Sequence, residues 1–269
     1  MRYFVSIFAV LAVGCATAPD EEALPAFVLV AHRGVVTEEL RENSLASLEE
    51  TIRRGYTHIE VDVRSTKDGH PVCLHDGNLE RTCGVNANVG ALTLAELREL
   101  APEERLPSFE TFCARCEGRI GLMPDIKHCA QAVFDTFAER IDGSMTRHGL
   151  VESALFIGDK RCADRFRGRG RLSWGGSPED ARRYGVAKDP RGYFVFGHAN
   201  DFDAASVKAF QAMGIPVIVS INLFHYDDVA EDRVAAGTAD VKRMLAYGVD
   251  GLQIDSVYED AAKQGPRPR

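Results

Sequence analysis

The sequence predicts an α/β barrel of eight parallel strands, with a short lid insertion after the second strand. Three observations predict it. Short apolar runs rich in Val, Ile and Leu recur about eight times along the 269 residues, as strands covered on both faces do. Stretches with helical spacing of apolar positions lie between them. Histidine, carboxylate and lysine side chains gather at the C-terminal ends of the runs, where a parallel barrel carries its chemistry.

In chain order, residues 1–19 hold one basic residue, an apolar core of about a dozen residues and then small residues, too short to span a bilayer, which takes about 20. They read as a secretory signal. Gly14-Cys15 is similar to a bacterial lipobox, although Ala12 stands where leucine is usual, and Pro19 opposes cleavage after Ala18. The expectation is cleavage before Cys15, acylation of Cys15, and an exported protein held at a periplasm-facing membrane or cell surface. A simple signal peptide is the rival reading. Residues 20–269 then form a single domain, since about 245 residues suit one barrel.

Expected strands are 27–31, 58–63, 120–126, 154–158, 171–174, 193–197, 216–221 and 251–254. Segments 44–54, 131–147 and 204–213 show helical periodicity. Residues 77–105 form the expected insertion, and Leu106-Pro107-Ser108-Phe109-Glu110 opens a helix with proline at its start.

Glu60 and Asp62 are two apart, so on a strand both point to one face. An isolated Glu-x-Asp is more often a solvated pair. Here Ile59, Val61 and Val63 take the opposite face, so in a barrel strand the carboxylates turn inward and supply oxygen ligands for a hard cation. His32 and His75 each end an apolar run. A lone histidine there is usually structural, but two of them bracketing a carboxylate pair provide a proton acceptor and a proton donor near neutral pH. Arg33 adds a planar fork suited to phosphate oxygens. The set describes metal-assisted phosphoryl transfer.

His32-Arg33, Glu60-x-Asp62 and His75-Asp76, in this order, resemble the signature of the glycerophosphodiester phosphodiesterase family. The likeness extends through Glu42-Asn43-Ser44-Leu45 and the turn 65–72. It implies an α/β barrel and one divalent ion, Mg2+ or Ca2+, held by Glu60, Asp62 and Asp125. It further implies that Arg33 and Lys127 bind the substrate phosphate and that His32 and His75 share acid and base duties. The implied reaction releases an alcohol from a glycerophosphodiester and leaves glycerol phosphate. The substrate's own neighbouring hydroxyl is the nucleophile the likeness offers, by way of a cyclic phosphate that water opens. Glu42 is expected to support the site without touching the ion.

The chain departs from the family in places. Asp125 replaces the usual glutamate, which is also similar to the sphingomyelinase D type phospholipases. They share the barrel and act on lysophospholipids with a cyclic phosphate product. Ser220 replaces an aromatic, leaving the wall around the alcohol to be built from Trp174, Phe224 or Tyr226. Asn222 and Asp255 are kept.

A net charge of −8 and a pI near 5.5 argue against a nucleic-acid partner, so an anionic substrate must be held by local Arg, Lys and metal. Of the 7 cysteines, Cys15 is set aside, and the rest, in an exported chain, permit disulfides. Cys113-x-x-Cys116 with His128 and Cys129 fits no standard zinc spacing. A glycosidase is disfavoured because Glu60 and Asp62 on one strand face cannot flank a scissile bond. A non-catalytic binding lipoprotein is disfavoured because every acidic and histidine position carries a competent group.

Overall fold

The structure is a computed structural model and describes residues 24–264. The signal and lipobox reading of residues 1–19, Cys15 included, lies outside the described residues. Among the described residues nine strands are present: β1 (Val28–Ala31), β2 (His58–Ser65), β3 (Pro71–Cys73), β4 (Gly121–Ile126), β5 (Leu155–Gly158), β6 (Arg171–Trp174), β7 (Tyr193–His198), β8 (Val217–Ile221) and β9 (Gly251–Ile254). All except β3 are parallel, and β1 pairs with both β9 and β2, which closes the barrel. The eight barrel strands coincide with the eight apolar runs. β3 is the addition, an antiparallel partner of β2 with Val63 opposite Cys73.

Strand alternation sorts the barrel residues into two sets. Ile59, Val61, Val63, Leu122, Val217, Val219 and Leu252 point outward into the large core between strands and helices. Val28, Val30, Met123, Leu155, Phe194 and Ile218 point inward and plug the barrel with a second apolar cluster. Above that plug the inward positions turn polar: Glu60, Asp62, Asp125, Ser220, Asn222 and Gln253. Register places Asp62 beside Asp125 and Ser220 beside Gln253, so the polar residues share one level near the C-terminal mouth.

Helices Leu45–Arg53, Gln131–Arg147 and Ala204–Gln211 occupy the segments that showed helical spacing. Ser44 caps the first, its hydroxyl accepting from the Ser47 amide at 3.1 Å. The helix after the insertion is Phe109–Cys116 with Ser108 as its cap, so Pro107 precedes the cap and does not open the helix. Freed from that position, the Pro107 carbonyl accepts from the Cys73 amide at 2.9 Å. Residues 74–106 form a lobe with its own apolar cluster, which includes Leu79, Val89, Leu97 and Leu106. Cys73, Cys83, Cys113, Cys116 and Cys129 are buried free thiols, so disulfides are not how these five are used. Burial pushes the Cys116 thiol up to about 12. Among the described residues no helix is long and apolar enough to cross a membrane.

Candidate active site at the barrel mouth

Glu60 and Asp62 stand on β2 and Asp125 on β4, and one carboxylate oxygen from each lies within 4.8 Å of the others. Glycine makes room for the third. Gly158, at the end of β5 with φ +96°, carries no side chain where a Cβ would come within 2.6 Å of Asp125 Oδ1. Asp125 and Lys127 share a side of their strand, and Lys127 Nζ sits 2.7 Å from Asp62 Oδ1 and 2.6 Å from Asp125 Oδ2. The ammonium therefore rests on the carboxylates it was expected to stand beside.

The charges sort these groups apart. Burial, followed by repulsion from Asp62 and Asp125, pushes the Glu60 carboxyl well above the usual carboxylate range. Burial works the same way on Asp62, but Lys127 and Arg33 outweigh it and hold Asp62 below its ordinary value. Burial would lower Lys127, and the two aspartates reverse it. A buried trio of carboxylates with one member driven toward its protonated form is a donor set short of positive charge. Its hard oxygen ligands fit a divalent cation such as Mg2+ or Ca2+.

Two strained residues frame the cluster. Arg33 (φ 56°) and Asn43 (φ 54°) are the non-glycine residues with positive φ among the described residues, and the Asn43 amide donates to the Arg33 carbonyl at 2.9 Å. The turn at Arg33 aims its backbone N–H at Glu60 Oε2, 2.7 Å away. Asn43 grips Asp62 twice, donating from Nδ2 to Oδ2 at 2.8 Å and accepting the Asp62 amide on Oδ1 at 3.0 Å. The Arg33 fork lies 3.3 Å from Asp62 Oδ2 and 3.2 Å from Glu42 Oε2. The contact with Asp62 is made by the buried Nε as an ion pair without hydrogen-bond geometry.

Each of the two histidines pairs with a carboxylate. His32 follows β1, and its Nδ1 is 2.7 Å from Asp255 Oδ1, past the end of β9. Asp255 also accepts the Leu223 amide at 2.6 Å. Burial would raise the Asp255 carboxyl, but the His32 hydrogen bond prevails and holds it low. His75 Nδ1 lies 2.7 Å from Asp76 Oδ1. In both pairs a proton on Nδ1 leaves Nε2 as the free base, a tautomer assigned from the hydrogen bond.

Of the aromatics expected at the wall, Phe224 alone lies beside a histidine of the site, its ring 6.0 Å from that of His32. Trp174 packs against the outer core and Tyr184, because strand alternation turns Ser173 inward and Trp174 outward. Tyr226 is buried with its hydroxyl on Asp240. Ser220 is buried and donates to Gln253. Sequence reasoning missed the His198–His225 stack, at 3.8 Å between centroids, which abuts Phe224. It also missed Arg81, whose place depends on how the lobe folds back. His128 is exposed and paired with Asp159, away from Cys113 and Cys116.

Residues 32–143 match the model of the Glycerophosphoryl diester phosphodiesterase family. Over 126 residues the chain is 36% identical to a mouse protein named lysophospholipase D GDPD1, covering 46% of this chain and 38% of that one. The matched part is thus well under half of that relative. Among solved structures, a glycerophosphoryl diester phosphodiesterase from Parabacteroides distasonis superposes with a TM-score of 0.70 at 21% identity, covering 93% of this chain and 90% of that one. A phosphodiesterase from Oleispira antarctica, in complex with the product sn-glycerol-3-phosphate, gives 0.65 at 20% identity, covering 88% and 95%. At such identities the structural likeness establishes the shared barrel.

Proposed function

We propose, on the premise that residues 32–143 match the Glycerophosphoryl diester phosphodiesterase family model, that the chain hydrolyses a glycerophosphodiester to an alcohol and glycerol phosphate. The observation that carries the proposal is the convergence of Glu60, Asp62 and Asp125 at the mouth that His32 and Arg33 also reach. Glu60, Asp62 and Asp125 would hold the divalent ion. Such an ion, when bound, polarises the phosphoryl oxygens and offsets the charge that develops on them. Arg33 turns its fork to the same oxygens. Lys127, which rests on Asp62 and Asp125, would be free to join it if those carboxylates held the ion. One histidine removes the proton from the substrate's neighbouring hydroxyl as it attacks phosphorus, the other returns one to the leaving alkoxide, and water then opens the resulting cyclic phosphate to glycerol phosphate. Asp255 and Asp76 engage Nδ1 of the two rings, which would leave each Nε2 for the proton exchange.

A second reading is favoured by one further observation. Val36, Phe224, Val229 and Val257 are exposed apolar side chains on the loops after β1, β8 and β9, which are neighbours in the barrel. The loops of β1 and β9 are tied by Ser256 Oγ donating to the Val36 carbonyl at 2.8 Å. An apolar rim beside His32 suits the hydrocarbon chain of a lysophospholipid, giving head-group cleavage with a cyclic phosphate product. Delivery to a membrane surface through an acylated Cys15 accords with either substrate.

The test is phosphorus NMR of residues 20–269 with glycerophosphocholine and, separately, lysophosphatidylcholine, each with Mg2+, Ca2+ or EDTA. The expected result is glycerol phosphate from the first substrate, abolished by EDTA. A cyclic phosphate from the lysolipid alone would replace the first reading by the second, and silence on both would refute the pair.

A further inference from the structure

His75 and Arg33 enter the site from separate parts of the chain, one from the start of the lobe and one from the loop after β1. A continuous run of charge pairs joins them. His75 Nδ1 bonds Asp76 Oδ1 at 2.7 Å, and Arg81 Nε donates to Asp76 Oδ2 at 2.6 Å. Arg81 Nη2 donates to Glu42 Oε1 at 2.5 Å, and Glu42 Oε2 lies 3.2 Å from Arg33 Nη1. Arg81 stands on the short helix Glu80–Cys83 of the lobe. Its planar fork spans two carboxylates at once, which a lysine ammonium holds only as a point charge. Each carboxylate has a second oxygen on a working residue, Asp76 on His75 and Glu42 on Arg33.

We propose that Arg81 is a positioning residue for the reaction, fixing the His75 ring and the Arg33 fork relative to each other across the mouth. The inference rests on the phosphodiesterase reading above. Without Arg81, Asp76 and Glu42 each lose the partner that sets their rotamer, and the proton-transfer and phosphate-binding groups lose their common register. The exposed position of Arg81 makes its direct contribution to stability small.

A merely structural role is separable by a neighbour. Arg105 anchors the same helix, its Nε and Nη2 donating to the Thr82 carbonyl at 3.1 and 2.9 Å, yet touches neither Asp76 nor Glu42. The experiment compares R81M, R81K and R105M for kcat and KM on glycerophosphocholine, with ion affinity by calorimetry and Tm. Expected is a fall in kcat of about 10- to 100-fold for R81M with ion affinity held, partial recovery in R81K, and R105M within about threefold of wild type. The double variant R81M/E42Q should lose no more than the worse single variant, since both break one chain. An R81M activity within threefold of wild type, or an R105M loss equal to that of R81M, overturns the proposal. Should R81M not fold, R81K takes its place in the comparison with R105M, and full activity of R81K overturns it. Inactivity of the wild type in this assay refutes the phosphodiesterase reading instead.

Discussion

Replacing Glu60 by glutamine keeps an acceptor for the Arg33 amide and removes one negative oxygen from the carboxylate cluster. Glu60→Gln is expected to lose divalent-ion binding together with activity, by about 100-fold or more in kcat/KM. His75→Ala should lower kcat by about 100- to 10,000-fold while calorimetry still shows a bound ion. Loss of the ion in the His75 variant would mean the roles are misassigned. A different histidine sets an acid limit on stability. His58 is buried at the barrel floor, hydrogen-bonded to Thr57 and the Ser153 carbonyl, and burial lowers it from 6.5 to about 4. Between those values the unfolded chain binds the proton and the folded chain does not. Stability contributed by neutral His58 is therefore complete above about pH 6.5 and falls by about 3 kcal/mol as pH drops toward 4. His58→Phe should flatten that slope in urea titrations run across the range, and an unchanged slope would assign it to other groups.

At the scale of elements, β5 ends on a glycine for a stated reason. A Cβ at Gly158 would come within 2.3 Å of the Ile126 carbonyl oxygen and would require a left-handed backbone at φ +96°. Gly158→Ala should cost about 1–3 kcal/mol and weaken ion binding by displacing Asp125, read by thermal melts and ion titration. Normal affinity in a destabilised variant would separate β5 from the site. The barrel strands were legible because each is a short run of apolar residues or an alternation of apolar with polar ones, and helix Gln131–Arg147 because it is long enough to show its period. β3 has only three residues, too few for a period to declare its direction. Asp125 is joined to Glu60 and Asp62 in advance by the family resemblance, and strand register is what sets it beside Asp62. Arg81 and the His198–His225 stack could not be placed in advance, since loop conformation brings them to the mouth and no local pattern encodes it.

For the whole molecule, the carboxylate cluster would couple folding to a divalent ion. In the ion-free protein the raised Glu60 carboxyl means that folded chains hold a proton which unfolded chains release above about pH 4.5, so its contribution is lost as pH climbs through the folded value. Asp62 and Asp255 act oppositely, adding stability above their ordinary range that is lost as pH falls through their lowered values. A bound divalent ion should reverse the Glu60 penalty. At about 100 times Kd the gain is about 2.7 kcal/mol, or roughly 5 °C or more in Tm, and it should be larger at pH 8 than at pH 5, where a proton competes. Equal Tm with Mg2+, Ca2+ and EDTA across that range would remove the cluster as an ion site.

The lobe leaves and re-enters the barrel wall at adjoining points. Val72 bridges Ser108, and the Cys73 amide is bonded to the Pro107 carbonyl. A segment whose two ends are already stitched together behaves as a cassette: it can lengthen, shorten or be exchanged while the strands beneath keep their register. That cassette carries His75, Asp76 and Arg81, whereas Glu60, Asp62 and Asp125 stay in the wall. On the proposed roles, half of the proton-transfer machinery travels with an exchangeable part and the ion ligands with the permanent one, so recombination of this segment between related barrels would retune turnover without dismantling the cation site.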